Sequence, residues 1–149
     1  MHDIRHRVGV LAPRTQVYTM LASRSGLEAV WTDHVEGESE PGAKLAFYFG
    51  GPQPAAVMEI LELSPDERVR WGCVEGPQEW VDTTLTFDIR ESDAETVVLF
   101  THAGWEEPSE FMHHCSTKWA TVLIGLRSGL EGGSFTAFPD DARISSSWR

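Results

Sequence analysis

Several features that mark common classes of protein are scarce in this sequence, and positive charge is the first. Lys and Arg together number 12 against 23 Asp and Glu, which gives a formal net charge of −11. Because nucleic acids and anionic membranes are themselves negative, this charge argues against either as a partner. The acidic residues are scattered along the chain, as is typical of a solvated surface. We predict a partner that is neither nucleic acid nor membrane.

Cysteine and long hydrophobic runs are also scarce. Cys73 and Cys115 lie in apolar contexts without CxxC spacing, which favours buried free thiols in a reducing compartment. No apolar run approaches the ~18 residues of a membrane span, and none follows a basic N-terminal stretch. We therefore expect a cytoplasmic protein. At 149 residues, the chain is expected to form a single domain over 1–149.

Motifs for nucleophilic catalysis and for phosphate binding are missing as well. No Ser lies in a G-x-S-x-G elbow, and no G-x-x-x-x-G-K-[ST] loop occurs. The pair Gly50-Gly51 is followed by Pro52 rather than by a phosphate-binding sequence. From these absences we predict no cofactor, and we assign no catalytic residue. Whether the protein is an enzyme stays open.

The strongest pattern that is present is a long amphipathic helix near the C-terminus, predicted over 109–131. Pro108, Ser109 and Glu110 are typical of a helix start, and Gly132-Gly133 of a helix end. One apolar stripe runs along its whole length. Its members are Phe111, Cys115, Trp119, Val122, Leu126 and Leu130. A helix of about six turns with one apolar face needs a large apolar surface to lie on.

The rest of the chain has the alternating pattern of strands. A first strand over 4–10 is followed by two short helices, one after Pro13 to about residue 22 and one over 23–31. Further strands are predicted over 45–49, 55–63, 69–73, 81–89 and 96–105, joined by short turns. The inward face of 55–63 is ambiguous because each face carries one Glu. In the strand 81–89, Val81 shares a face with Leu85 and Phe87.

This order of elements predicts an α+β fold. Consecutive strands joined by short turns imply an antiparallel meander. A curved antiparallel sheet of about six to seven strands, wrapped around the long C-terminal helix, covers every apolar face at once.

The same order resembles the helix-grip domain of the START-like superfamily, also called SRPBCC. Several segments are similar to its branch of heat-shock-protein-90 ATPase activators and their bacterial homologues. They are Ala12-Pro13, residues 27–31, Pro41-Gly42, residues 62–65 and 68–71, residues 83–87, the strand that ends T-H-A-G-W at 101–105, Trp119, and residues 129–131. The resemblance implies a cavity between the long helix and the concave sheet. Members of the superfamily bind lipids, sterols, polyketides or plant hormones, and a few catalyse cyclisation or hydrolysis.

A cavity of this kind would be lined by one face of each strand and by the apolar stripe of the long helix. Sites for small molecules are mostly apolar with a few polar groups. The candidate ligand-binding residues are Trp31, Leu45, Phe47, Phe49, Val69, Trp71, Leu85, Phe87, Val98, Phe100, His102, Phe111, Cys115 and Trp119. The alternative is that these side chains fill the interior as a packed core, and the sequence does not separate the two.

His102 is the most informative polar residue of this set, because it shares a strand face with Val98 and Phe100. A His in an apolar pocket could orient the polar group of a ligand or act as an acid or base. The alternative is a neutral buried His that is hydrogen-bonded to backbone or to a hydroxyl, and it is favoured because no second catalytic group is paired with it.

A metal site is suggested by Glu110, His113, His114 and Cys115, but helix geometry argues against it. His113 and Cys115 are two residues apart and point to diverging sides of a helix. A structural zinc site usually needs four ligands, and these residues supply too few on one side. We predict no metal.

Three functions remain open. The first is binding of a small hydrophobic molecule. The second is an enzyme that acts on such a molecule, with His102 as the polar participant. The third is a protein-interaction module of the minimal co-chaperone type. Ile124 lies away from the helix stripe, near Ala120, and with Trp148 it could form a subunit contact, so a homodimer is also considered.

Overall fold

The computed structural model describes residues 1–148 and has an α+β helix-grip architecture, as predicted. The elements in chain order are β1 (His2–Val10), α1 (Arg14–Ala22), α2 (Arg24–Val30), β2 (His34–Gly37), β3 (Lys44–Tyr48), β4 (Ala56–Ser64), β5 (Arg68–Glu75), β6 (Thr84–Glu91), β7 (Thr96–Trp105) and α3 (Glu110–Leu130).

The strands form one seven-stranded antiparallel sheet in the order β1-β7-β6-β5-β4-β3-β2. From β2 to β7 each strand pairs with the next along the chain, which is the predicted meander. The first strand joins the far edge beside β7, with Val8 opposite Val98. The sheet is curved, and α3 packs on it. His6 on β1 fixes this contact, because its Nε2 lies 2.9 Å from the carbonyl oxygen of Ser116 on α3.

The bounds of α3 agree with the sequence prediction within one residue at each end. Ser109 is the N-cap, and its Oγ accepts a hydrogen bond from the backbone N–H of Met112 at 3.2 Å. This bond satisfies one of the first N–H groups, which have no partner within the helix. The buried face of the helix is formed by Met112, Cys115, Trp119, Leu123 and Leu126.

The two short helices meet at Gly26, which is buried. A Cβ atom on this residue would lie 2.3 Å from the carbonyl oxygen of Met20 on α1. Any larger residue would therefore push the two helices apart. Ser23 caps α2 by accepting a hydrogen bond from the N–H of Gly26 at 3.0 Å.

A bulge in β4 resolves the face that the sequence left ambiguous. Met58 and Ile60 point into the core opposite Cys73 and Trp71, and the register then shifts between Ile60 and Glu62. The extra residue, Leu61, remains 42% exposed. After the shift Leu63 lies opposite Val69 and packs against the core. A strict alternation would have turned Leu63 away from it.

The start of β6 differs from the prediction. This strand begins at Thr84, so Val81 lies in the preceding turn, is 37% exposed, and does not share the inward face of Leu85. Its neighbour Trp80 is buried instead. The turn is fixed by backbone hydrogen bonds in which the N–H of Cys73 donates to Thr83 and the N–H of Asp82 donates to Cys73, each at 3.0 Å.

Candidate functional site

A cavity of about 470 Å³, partly open to solvent, lies between α3 and the end of the sheet. It is bounded by the end of α2, the β3–β4 connection, the β5–β6 turn, the first half of α3 and the C-terminal tail. The residues that line it are Trp31, Phe49, Ala55, Ala56, Pro77, Trp80, Phe111, His114, Cys115, Lys118, Trp119, Val122, Ser147 and Trp148. A volume of this size falls within the range of small-molecule sites. We call it the α3 cavity.

Indole rings form one wall of the α3 cavity. The ring of Trp31 lies 4.9 Å from that of Trp119 and 6.3 Å from that of Trp80, and Trp80 stacks on Trp119 at 6.0 Å. These separations are typical of favourable contacts between aromatic rings. The wall is therefore apolar and built from three indoles in mutual contact, of which Trp31 and Trp119 are tilted by 42° to each other.

The structure divides the ligand-binding residues predicted from the sequence into two layers. The first layer lines the cavity and contains Trp31, Phe49, Phe111, Cys115 and Trp119. The second layer is buried behind it and contains Leu45, Phe47, Val69, Trp71, Leu85, Phe87, Val98, Phe100 and His102. Aromatic rings fill this part of the interior. The ring centre of Phe87 lies 5.3 Å from that of Trp71 and 5.0 Å from that of Phe100.

His102 belongs to the second layer, where both of its ring nitrogens have hydrogen-bond partners. The indole Nε1–H of Trp119 donates to Nδ1 at 3.3 Å, and Nε2 lies 2.8 Å from Oγ1 of Thr83. The Thr83 hydroxyl in turn donates to the carbonyl oxygen of Trp80. This chain assigns the proton of His102 to Nε2. Burial lowers the pKa of His102 to about 3, so the ring is neutral at neutral pH.

The two cysteines are free, and both are buried. Burial raises the pKa of Cys115 to about 12, and a contact with Trp80 only partly opposes this shift. Burial likewise raises the pKa of Cys73 to about 11. Both thiols are therefore protonated at neutral pH, and Cys115 contributes to the cavity wall as a small apolar group.

The residues that suggested a metal site diverge on α3. His113 points to solvent, His114 lines the cavity, and Cys115 is buried. Within residues 1–148, no group of three or more His, Cys, Asp or Glu side chains is arranged to hold a metal ion.

The C-terminal tail, residues 133–148, packs against the end of α2 and against α3, and it lines one side of the cavity. The backbone N–H of Phe138 donates to Trp31 at 3.0 Å, and the N–H of Asp33 donates to Phe138 at 3.1 Å. Further along, the side chains of Lys118 and Asp141 form an ion pair at 2.6 Å and are 19% and 17% exposed. The indole of Trp148 then lies 5.7 Å from Phe111.

Sequence reasoning missed several lining residues. Trp80 lies in a turn, outside the alternating pattern of β6, and so carries no sequence signal for the site. Val122 was placed in the helix stripe but not in the site, and His114 was considered only as a metal ligand. Trp148, which the sequence analysis named only for a subunit contact, packs against Phe111 and His114 of the same chain.

Together, the curved sheet, the long helix packed on it and the cavity between them define a helix-grip protein of the START-like class. Residues 11–131 match the family described as "Activator of Hsp90 ATPase homolog 1-like protein". The chain belongs to this family. None of the curated proteins matches it.

Several solved structures are similar to this chain over most of its length. The solution structure of the Aha1 dimer from Colwellia psychrerythraea is 34% identical, with a TM-score of 0.81 over 89% of this chain and 98% of that chain. Protein SSP2350 from Staphylococcus saprophyticus is 19% identical, with a TM-score of 0.75 over 91% and 97% of the two chains. CalU16 from Micromonospora echinospora is 21% identical, with a TM-score of 0.67 over 87% and 73%. The last two are similar in fold alone.

Across residues 1–148, no helix combines the length and the apolar character that crossing a membrane requires.

Proposed function

We propose that this protein binds a small hydrophobic molecule with an aromatic framework in the α3 cavity. The observation that carries the proposal is the cavity of about 470 Å³ whose wall includes the stacked rings of Trp31, Trp80 and Trp119. Transfer of an apolar molecule from water to such a wall is favourable, and flat rings gain further from contacts with the indoles.

In this proposal the ligand touches the first layer of predicted residues and not the second. The packed rings of Phe47, Trp71, Phe87 and Phe100 leave their neighbours little freedom to move. Their role is to fix the positions of Trp31 and Trp119, which contact Phe47 and Phe100 at 4.5 and 4.8 Å between ring centres.

A fluorescence titration tests this function. The probe is 1-aminoanthracene, a neutral tricyclic aromatic amine whose emission increases in an apolar site. We expect saturable binding with one probe per chain and a change in tryptophan emission, since Trp31, Trp80, Trp119 and Trp148 all line the cavity. A linear, non-saturating signal would contradict the proposal.

The enzyme alternative receives less support from the geometry. His102 was the residue proposed as its polar participant, and it lies behind Trp119 with both nitrogens engaged. A general acid or base must reach the proton that it transfers. His102 would have to lose its present partners before it could reach a ligand in the cavity.

A protein partner is the second candidate, because the family description names an activator of the Hsp90 ATPase. We propose that the chain contacts this ATPase through its surface while the cavity binds a ligand. The test is the ATPase rate of purified Hsp90 with and without this protein. An unchanged rate at saturating protein would reject this candidate and leave the cavity proposal untouched.

We further propose that the chain forms a homodimer, since the relative that is 34% identical has been solved as a dimer. Ile124, which is 61% exposed on the outer side of α3, is the proposed centre of the contact. The single domain 1–149 and the cytoplasmic location also remain proposals. They are supported by one continuous core and by two buried free thiols.

A further inference from the structure

The tail between residues 139 and 148 is held to the body differently from the other walls of the cavity. The remaining walls are formed by α2, α3 and two connections of the sheet, and backbone hydrogen bonds hold these connections, as from Ala55 to Phe47 and from Trp80 to Pro77, each at 2.8 Å. The tail segment has no helix or strand. Its ties to α3 are made by side chains, above all by the ion pair between Lys118 and Asp141 and by the packing of Trp148.

Both ties leave a polar atom without a partner. In the part of the chain that the structure describes, Oδ1 of Asp141 and Nε2 of His114 are buried and have no hydrogen bond. His114 packs against the edge of the Trp148 ring at 5.3 Å. A buried polar atom without a partner weakens the arrangement that buries it. Water would satisfy both atoms if the tail moved away.

The tail and the cavity also share residues. Lys118 lines the cavity and holds Asp141, and Trp148 lines the cavity and covers Phe111 and His114. A displacement of the tail would therefore remove one wall of the cavity. The other anchor is the pair of backbone hydrogen bonds at Phe138. Along the chain Phe138 precedes Asp141, whereas Trp148 follows it, so this anchor can remain in place when the end of the tail moves.

We propose that residues 139–148 form a lid that opens to admit a hydrophobic ligand and closes over it, with the Lys118–Asp141 ion pair as its latch. Phe138 marks the fixed end of the lid, and the indole ring of Trp148 is the part that closes on the ligand. This inference rests on the proposed binding function. The lid controls how fast a ligand enters and leaves.

The test compares the rates of 1-aminoanthracene binding by stopped-flow fluorescence in the wild type, Asp141→Asn and Lys118→Met. A weakened latch speeds both entry and exit, so we expect association and dissociation rates that each rise by about fivefold. The equilibrium constant should change less than either rate. The double variant K118D/D141K restores the ion pair but not the hydrogen bond from Nζ of Lys118 to the carbonyl oxygen of Ala142 at 3.1 Å, so its rates should lie between those of the wild type and those of Lys118→Met.

Arg127→Met is the matched control, because it removes another ion pair of α3, that with Glu131 at 3.2 Å. Its rates should equal those of the wild type. Unchanged rates in Asp141→Asn would overturn the lid, and so would a faster dissociation without a faster association. In either case saturable binding would leave the proposed function standing. Absence of saturable probe binding to the wild type would overturn both.

A second measurement needs no variant. Hydrogen exchange of the backbone amides in residues 140–148 is compared in the wild-type protein with and without 1-aminoanthracene. A lid that closes over the ligand predicts slower exchange in this segment when the probe is bound. Unchanged exchange in this segment under saturating probe would overturn the lid.

Discussion

The indole Nε1–H of Trp119 donates a hydrogen bond to Nδ1 of His102 across 3.3 Å, and this bond joins α3 to β7 inside the core. The same indole is part of the cavity wall. The position of the wall is therefore tied to a buried polar group, and not only to packing. Hydrogen bonds of this kind favour one orientation of a ring over others of similar packing.

The first prediction concerns the stability that this bond provides. Trp119→Phe leaves Nδ1 of His102 buried and without its donor, whereas Trp105→Phe removes an indole whose Nε1 has no partner within residues 1–148. Both residues are almost fully buried. We expect Trp119→Phe to lower the free energy of unfolding by about 1–3 kcal/mol more than Trp105→Phe does. Equal losses in urea unfolding would contradict the role given to the bond.

The second prediction concerns pH. The pKa of His102 is lowered from 6.5 to about 3 in the folded state, so the unfolded chain binds this proton more readily. The contribution of neutral His102 to stability is fully present above about 6.5 and is lost as the pH falls toward 3. The wild type should lose up to ~1.4 kcal/mol more per pH unit than His102→Gln in this interval. Parallel stability curves for the two proteins would contradict the assignment.

The third prediction concerns the cavity wall. Val122→Phe adds volume inside the α3 cavity, and Ile124→Phe adds the same kind of ring to the outer side of the same helix. The first change should weaken binding of 1-aminoanthracene by about tenfold or more, since it occupies the space of the ligand. The second should leave the affinity within about twofold of the wild type. Equal affinities in the two variants would place the probe elsewhere.

The fourth prediction separates the two layers of aromatic residues. Phe87→Trp enlarges a ring that packs between Trp71 and Phe100 and does not line the cavity. Overpacking should cost about 1–3 kcal/mol of stability, measured by urea unfolding. The affinity for 1-aminoanthracene should not change in protein that remains folded. A loss of affinity larger than that of Val122→Phe would show that the ligand reaches the second layer.

The fifth prediction concerns assembly. Native mass spectrometry should give a mass of two chains for the wild type, and Ile124→Lys should shift the distribution toward one chain by placing charges in an apolar contact. Gln16→Lys, a change to an exposed residue of α1, is the control for added charge, since it lies on a different helix. A dimer that survives Ile124→Lys would place the contact on another surface.

Much of the fold follows from the sequence because its strongest signals are local. The period of α3, the cap at Ser109 and the alternation of β5 each depend on neighbouring residues, and their bounds agree with the structure within a few residues. The edge strand β2 was not identified, because Val35 is its single buried residue and it gives no alternation. The bulge at Leu61 also has no local signal, since its effect appears only in the pairing with β5.

The site was harder to predict than the fold. Inward-facing residues could be identified by strand face, but whether they enclose a space depends on how large rings pack across the sheet. Phe47, Trp71 and Phe87 fill the interior, and this moves the open volume toward Trp31 and the first half of α3. Trp80 and Trp148 reach the cavity from a turn and from the tail. No periodic pattern extends to such segments.

The central claim is that the α3 cavity holds a small hydrophobic molecule. The most direct measurement is native mass spectrometry of the protein purified from its own host, followed by denaturing extraction. We predict a reproducible small-molecule adduct that is released on unfolding, together with a rise in melting temperature when the extracted compound is added back to the apo protein. A spectrum without any adduct, for one chain or two, and no thermal shift against a panel of hydrophobic aromatic compounds would contradict the claim.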